Sequence, residues 1–194
     1  MPITYTNRKD VTYYLCQGVT KTGKPRYFFA RAIKDKAVEQ IPDGYSILES
    51  VNGIVSLSKT QASQLSEDEI NGVKAAVARH PNSRKYRINV RPTRIEIYES
   101  MAPDVATILA GLAGVTSISA GTVSQLSADL ERHAQFTPVL RFTLLNTEQR
   151  TFVAERMCYL GSIDDFIYIG SAPLEPMAPD AIATLGTEEF FSMV

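Results

Sequence analysis

The chain has 194 residues, 44% of them hydrophobic and 21% charged. That is the composition of an ordinary globular protein long enough to bury a core without disulfides or metals, and no run of about 18 apolar residues offers a helical membrane span. Cys16 and Cys158 lack the CxxC or Cys/His spacing of a structural zinc site and read as buried free thiols; MPITYTNRKD has no apolar signal-peptide core, so a cytoplasmic location is expected.

The net charge of −1 conceals a split along the chain. Residues 1–100 hold 16 Lys+Arg against 10 Asp+Glu, whereas residues 101–194 hold 4 against 11, and every lysine precedes residue 86. This predicts a basic, β-rich part over 1–99 and an acidic α+β part over 100–194, packed as one compact unit. Either the first part meets an anionic partner, or basic and acidic halves meet each other within or between chains.

In chain order, Val11 to Val19 and Arg26 to Ala32 are rich in aromatic and β-branched residues. They flank the turn chemistry of Thr20 to Pro25, so a hairpin is expected. Pro25 has no N–H and belongs at a strand start. Tyr45 to Ser50 and Ile54 to Ser58 flank Asn52-Gly53, a strong hairpin signal; the four strands together predict a meander. Ser66 and Glu69 form a capping box that opens a helix over 66–79, with Ile70, Val73 and Val77 on one stripe. A second hairpin, Arg84 to Val90 and Arg94 to Glu99, puts Tyr86, Ile88, Val90, Ile95 and Ile97 on one face. Lys85, Arg87, Asn89, Arg91, Arg94, Glu96 and Tyr98 fall on the other.

A helix is expected from Ser100 to Val115 with Pro103 in its first turn, and another from a Thr122/Gln125 capping box to about Ala134. Val139 to Leu145 and Arg150 to Leu160 read as a longer hairpin, and Phe166 to Ile169 as a short strand. From Leu174 onward a short helix, a Leu-Gly break and an apolar hook of Phe190, Phe191, Met193 and Val194 follow, the hook docking on its own core. Strands and helices in blocks predict an α+β fold with mainly antiparallel sheets and about four helices, the β-rich N-terminal part packed on an α/β C-terminal part.

The chemistry on offer is electrostatic. Lys21, Lys24 and Arg26 on the first hairpin, and Arg84, Lys85, Arg87, Arg91 and Arg94 on the second, could neutralise phosphates while neighbouring Tyr and Phe rings accept bases. If both hairpins face one way they form one surface for nucleic acid or an acidic protein; otherwise each is a charged, guarded sheet edge. TKTGKP is not a phosphate loop: Lys24 is followed by proline and a strand, where a Walker motif needs Ser or Thr and a helix. Glu155, Asp164 and Asp165 could hold Mg²⁺ for phosphoryl chemistry, but a metal nuclease needs a nearby lysine and the second half has none. Asp164-Asp165 otherwise cap a turn. His80 and His133 both fall near helix ends, where a cationic ring complements the helix dipole, and Cys158 has no activating neighbour in sequence.

Several blocks, namely Tyr13-Tyr14-Leu15, TKTGKPRYFFA and Pro42-Asp43-Gly44-Tyr45, then PVLRFTLLN with Arg150, ERMCYLGSIDDF, Leu185-Gly186 and Phe190-Phe191, resemble a family of bacterial proteins of uncharacterised function. Phe166 stands where that family suggests tryptophan. The resemblance implies one architecture and no chemistry. The expected function is therefore a non-catalytic binding or adaptor protein without a cofactor, its basic hairpins contacting nucleic acid or an acidic protein. The alternatives are self-assembly through complementary halves, as a homo-oligomer or larger complex, and a metal-dependent hydrolase using Glu155, Asp164 and Asp165.

Overall fold

A computed structural model describes residues 1–34, 36–103, 108, 119–159 and 164–193. In chain order these form β1 (Thr4–Thr6), β2 (Thr12–Val19), β3 (Pro25–Ala30), β4 (Lys36–Ala37), β5 (Tyr45–Glu49), β6 (Val55–Lys59) and α1 (Glu67–Arg79). A 3-10 turn, Ser83–Lys85, leads into β7 (Tyr86–Arg91) and β8 (Arg94–Ser100). Then come α2 (Ala120–His133), β9 (Phe136–Asn146), β10 (Thr151–Tyr159), β11 (Asp164–Pro173), α3 (Leu174–Ala183) and α4 (Glu188–Ser192). All strand pairs are antiparallel, so the fold is α+β with a β-rich N-terminal part. Beyond Pro103, the helix expected from Ser100 to Val115 lies almost wholly outside the described residues.

Two compact units are present, each assembled from two stretches: Met1–Thr60 with Met101–Gln135, and Gln61–Ser100 with Phe136–Val194. Each therefore draws on both sides of the charge boundary at residue 100. The first unit has 10 Lys+Arg against 8 Asp+Glu, or +2, and the second 10 against 13, or −3. The steep split along the sequence is thus mostly cancelled within the units.

In the first unit, β2 is the centre of a four-stranded sheet rather than part of a meander. β3 runs along one edge, while β1 and β4 share the other, end to end. Their junction is closed by backbone bonds: Leu15 N–H to Ile3 O, Ile3 N–H to Val38 O, and Val38 N–H to Leu15 O. The β5–β6 hairpin is a separate two-stranded sheet, turned at Asn52-Gly53, where Gly53 has φ +77°. Polar side chains tie it to β1–β2. Buried Asn7 donates from Nδ2 to Gly53 O at 2.6 Å and accepts at Oδ1 from the N–H groups of Lys9 and Val11. Glu49 accepts from Tyr5 OH and from Arg8 N–H, both at 2.8 Å, and the bond to this carboxylate is the main cause that raises the Tyr5 pKa. Arg8 also closes the C-terminal end of α2, donating to the carbonyls of Glu131, Arg132 and Ala134, where a cation meets the negative end of the helix dipole. Ser119, not Thr122, caps the start of α2, accepting from Thr122 N–H at 3.2 Å. Cys16 is buried.

The second unit is a five-stranded sheet in the order β11-β10-β9-β8-β7. Ile95, Ile97, Leu140, Phe142 and Phe152 project from one face and are wholly buried. Val73 and Val77 of α1, Ala178 and Ile182 of α3, and Phe190 of α4 close the same core. α1 begins with the expected capping box: Ser66 Oγ accepts from Glu69 N–H, and Glu69 accepts from Ser66 N–H. Arg150, in the left-handed region at φ +49°, pairs with the same Glu69 carboxylate and donates to Gln64 O. Burial acts to raise the Glu69 pKa, but the bonds from Arg150 and Ser66 outweigh it and hold it below 4.5. The tail docks through Phe190, with Met193 packed on the core, while Phe191 stays exposed. Val194 lies outside the described residues.

Candidate binding surfaces

The first basic group sits on a rigid tip. Thr20 N–H donates to Lys24 O, Gly23 N–H to Thr20 O, and Lys24 N–H to Thr20 Oγ1. Gly23 at φ +79° makes this turn possible, because a side chain there would be strained. Pro25 opens β3 opposite Val19, at the strand start expected for it. Lys21, Lys24 and Arg26 are all exposed and form no ion pair or side-chain hydrogen bond among the described residues. Sequence reasoning missed a fourth cation. β4 lies beside β2 with Lys36 opposite Gln17, and Gln17 is opposite Tyr27 of β3. Lys36 therefore shares the face of Gln17 and Tyr27, whereas Arg26, opposite Gly18 in the next row, is on the other face. It too is exposed and unpaired. Its signal was the run of Arg31, Lys34 and Lys36, but only the pairing of a two-residue strand fixes its place in the sheet.

The second basic group is differently disposed. Arg84 and Lys85 are exposed on the 3-10 turn. Arg87 is turned back on its own backbone, donating to the carbonyls of Arg84 and Tyr86, with its guanidinium 5.3 Å from the Phe136 ring centre. Arg94 is paired with Glu96 at 2.9 Å.

On the sheet face turned away from the helices, the register aligns Asn89, Glu96, Arg141, Glu155 and Tyr168 across all five strands. Glu96, only 6% exposed, accepts from Arg94 Nε, Asn89 Nδ2 and Tyr98 OH. Burial first, and the Glu96 charge second, raise the Tyr98 pKa against opposing effects of Asn89 and Arg91. Arg141 donates to Glu155 at 2.7 Å and lies over the Phe166 ring at 3.8 Å. The bond to Glu155 raises its pKa, more than burial lowers it.

These contacts decide what the acidic candidates can do. Glu155 is committed to Arg141, and Asp165 accepts from Phe166 N–H. Asp164 and Asp165 stand opposite Tyr159 and Cys158, four and three residues along the strand pair from Glu155 and its partner Tyr168. Among the described residues no group of three or more His, Cys, Asp or Glu is placed to hold a metal ion. A groove of about 500 Å³ between α1 and α3 is rimmed by Asp68, Glu69 and Glu175 against Arg79, opposite in sign to the basic groups.

His80 is buried at the end of α1, accepting at Nδ1 from Asn82 N–H and meeting Leu185 O through Nε2 at 3.2 Å. With Nδ1 accepting, the ring proton belongs on Nε2, so His80 latches the α3–α4 turn. It meets Tyr86 edge to face at 4.9 Å. Burial, with the Glu99 charge and hydrogen bond behind it, pushes the Tyr86 hydroxyl up to about 12. His133 rests on Asp129 O. Cys158 is half-buried, not buried as expected.

No described helix is long and apolar enough to cross a membrane. Comparison with protein-family models, with curated proteins and with solved structures gives no match.

Proposed function

We propose that this is a non-catalytic binding protein that grips the phosphate backbone of a nucleic acid with the tip of its β2–β3 hairpin. The observation that carries this reading is the bonded turn that holds Lys21 and Lys24 next to Arg26 as exposed cations with no ion pair among the described residues. Cations kept for edge protection alone gain nothing from being gathered. Lysines on flexible stems tolerate an irregular backbone, since each is a mobile point charge. Tyr27, half-buried in the row of Lys36, offers a ring beside them for a base.

Fluorescence anisotropy with labelled oligonucleotides across a salt series tests this. Three phosphate contacts give a slope of log K against log salt of about −2 for single strands and about −3 for duplex. Each of Lys21→Ala, Lys24→Ala and Arg26→Ala should flatten it by about 1, and Lys36→Ala less. Absence of binding to both strand types at low salt overturns the reading.

A further inference from the structure

The end of the β7–β8 hairpin holds a charge arrangement that the chain leaves incomplete. Arg91 pairs directly with Arg94 across the two-residue turn, and Arg94 stands beside Thr143 of β9. The three side chains share one face in one row, neighbours about 5 Å apart. Like charges directly opposite each other destabilise a sheet. Glu96 answers the charge of Arg94, and with Asn89 and Tyr98 also donating to it, its carboxylate is fully occupied. Arg91 has no such answer. It makes no ion pair, and its Nε is closed off from solvent with no acceptor. A buried N–H without an acceptor forfeits its hydration and gains nothing in exchange. The Thr143 hydroxyl likewise has no hydrogen-bond partner among the described residues.

We propose that Arg91, Arg94 and Thr143 form an oxyanion site for one phosphate group of a small ligand. The terminal Nη groups of the two guanidiniums and a hydroxyl present donors from three positions, since Arg94 Nε is held by Glu96 and Arg91 Nε is closed off; this suits the several oxygens of a tetrahedral phosphate better than the two of a carboxylate. This site is in the second unit and does not rest on the hairpin tip of the first.

Calorimetry and thermal denaturation with inorganic phosphate, at constant ionic strength, test it on the full chain. One phosphate should bind per chain and raise the melting temperature. Arg91→Ala should weaken phosphate binding tenfold or more, yet melt no lower than the unaltered protein when phosphate is absent, because the stranded donor is gone. Arg94→Ala should also weaken binding, Thr143→Val less so. The triple variant Lys21→Ala/Lys24→Ala/Arg26→Ala should bind phosphate unchanged. Phosphate bound equally by Arg91→Ala, or a lower melting temperature of that variant without phosphate, would overturn the proposal. Acetate binding as tightly as phosphate would overturn the choice of ligand.

Discussion

The second unit closes its apolar side chains, from Leu65 through Phe142 to Phe190, into one cluster between a sheet and three helices. In the first unit the buried apolar side chains among the described residues are Leu15, Cys16, Val55 and Ala134, and buried Asn7 joins separate turns by hydrogen bonds. Apolar burial is non-directional and sums over area, whereas an amide such as Asn7 works only where each of its atoms meets a partner. The units therefore differ in what a mutation can break: volume in one, a specific set of bonds in the other.

The sharpest way to probe this is to empty the apolar cluster. Phe142→Ala should cost about 4 kcal/mol, read by urea unfolding with hydrogen exchange to assign the loss to β8–β10; a cost below about 2 would mean that the cluster is not what holds the second unit. Next comes Asn7→Ala, which strands Gly53 O and two N–H groups and should cost about 2–3 kcal/mol. A cost under 1 would remove the polar contrast. Third is an alkaline test. A hydroxyl raised to about 12 in the folded state contributes stability that is complete below pH 10 and is lost as pH rises toward 12. Over that range the protein should lose about 2 kcal/mol more than Tyr86→Phe; parallel curves refute the buried-tyrosine account. The smallest effect is at α1. Ser66→Ala should cost about 1 kcal/mol. The advantage over Glu69→Gln should be present above pH 4.5 and fade as pH falls through the lowered Glu69 value.

Local signals in the sequence were strong where one or two residues decide a conformation. Gly23, Pro25, Asn52-Gly53 and the Ser66/Glu69 box place their turns, strand start and helix start as expected. The alternation of 84–99 gives both faces of β7–β8 as the register has them. Long-range pairing was not legible. β1 and β4 are three and two residues long, too short for a periodicity, and exist because β2 offers them an edge. Hence the expected meander was wrong and Lys36 was overlooked. Ser119 won the cap of α2 from Thr122, since both are capping residues three positions apart. The eight basic candidates were visible as charges, but which of them are spoken for depends on acceptors such as Glu96 and Tyr86 O, which only the register brings within reach.

One junction bears on how this chain can be lengthened or shortened. Ser100 at the end of β8 lies opposite Phe136 at the start of β9, and Met101 N–H donates to Gln135 O at 2.8 Å. The whole stretch from Met101 to Gln135 thus leaves and re-enters the second unit through a doorway one strand spacing wide. The entropy of closing such an excursion grows only with the logarithm of its length, about 0.6 kcal/mol per doubling. The β8–β9 pair is thus a natural port for insertion: a sheet that can carry cargo of very different lengths between two of its central strands without altering their register.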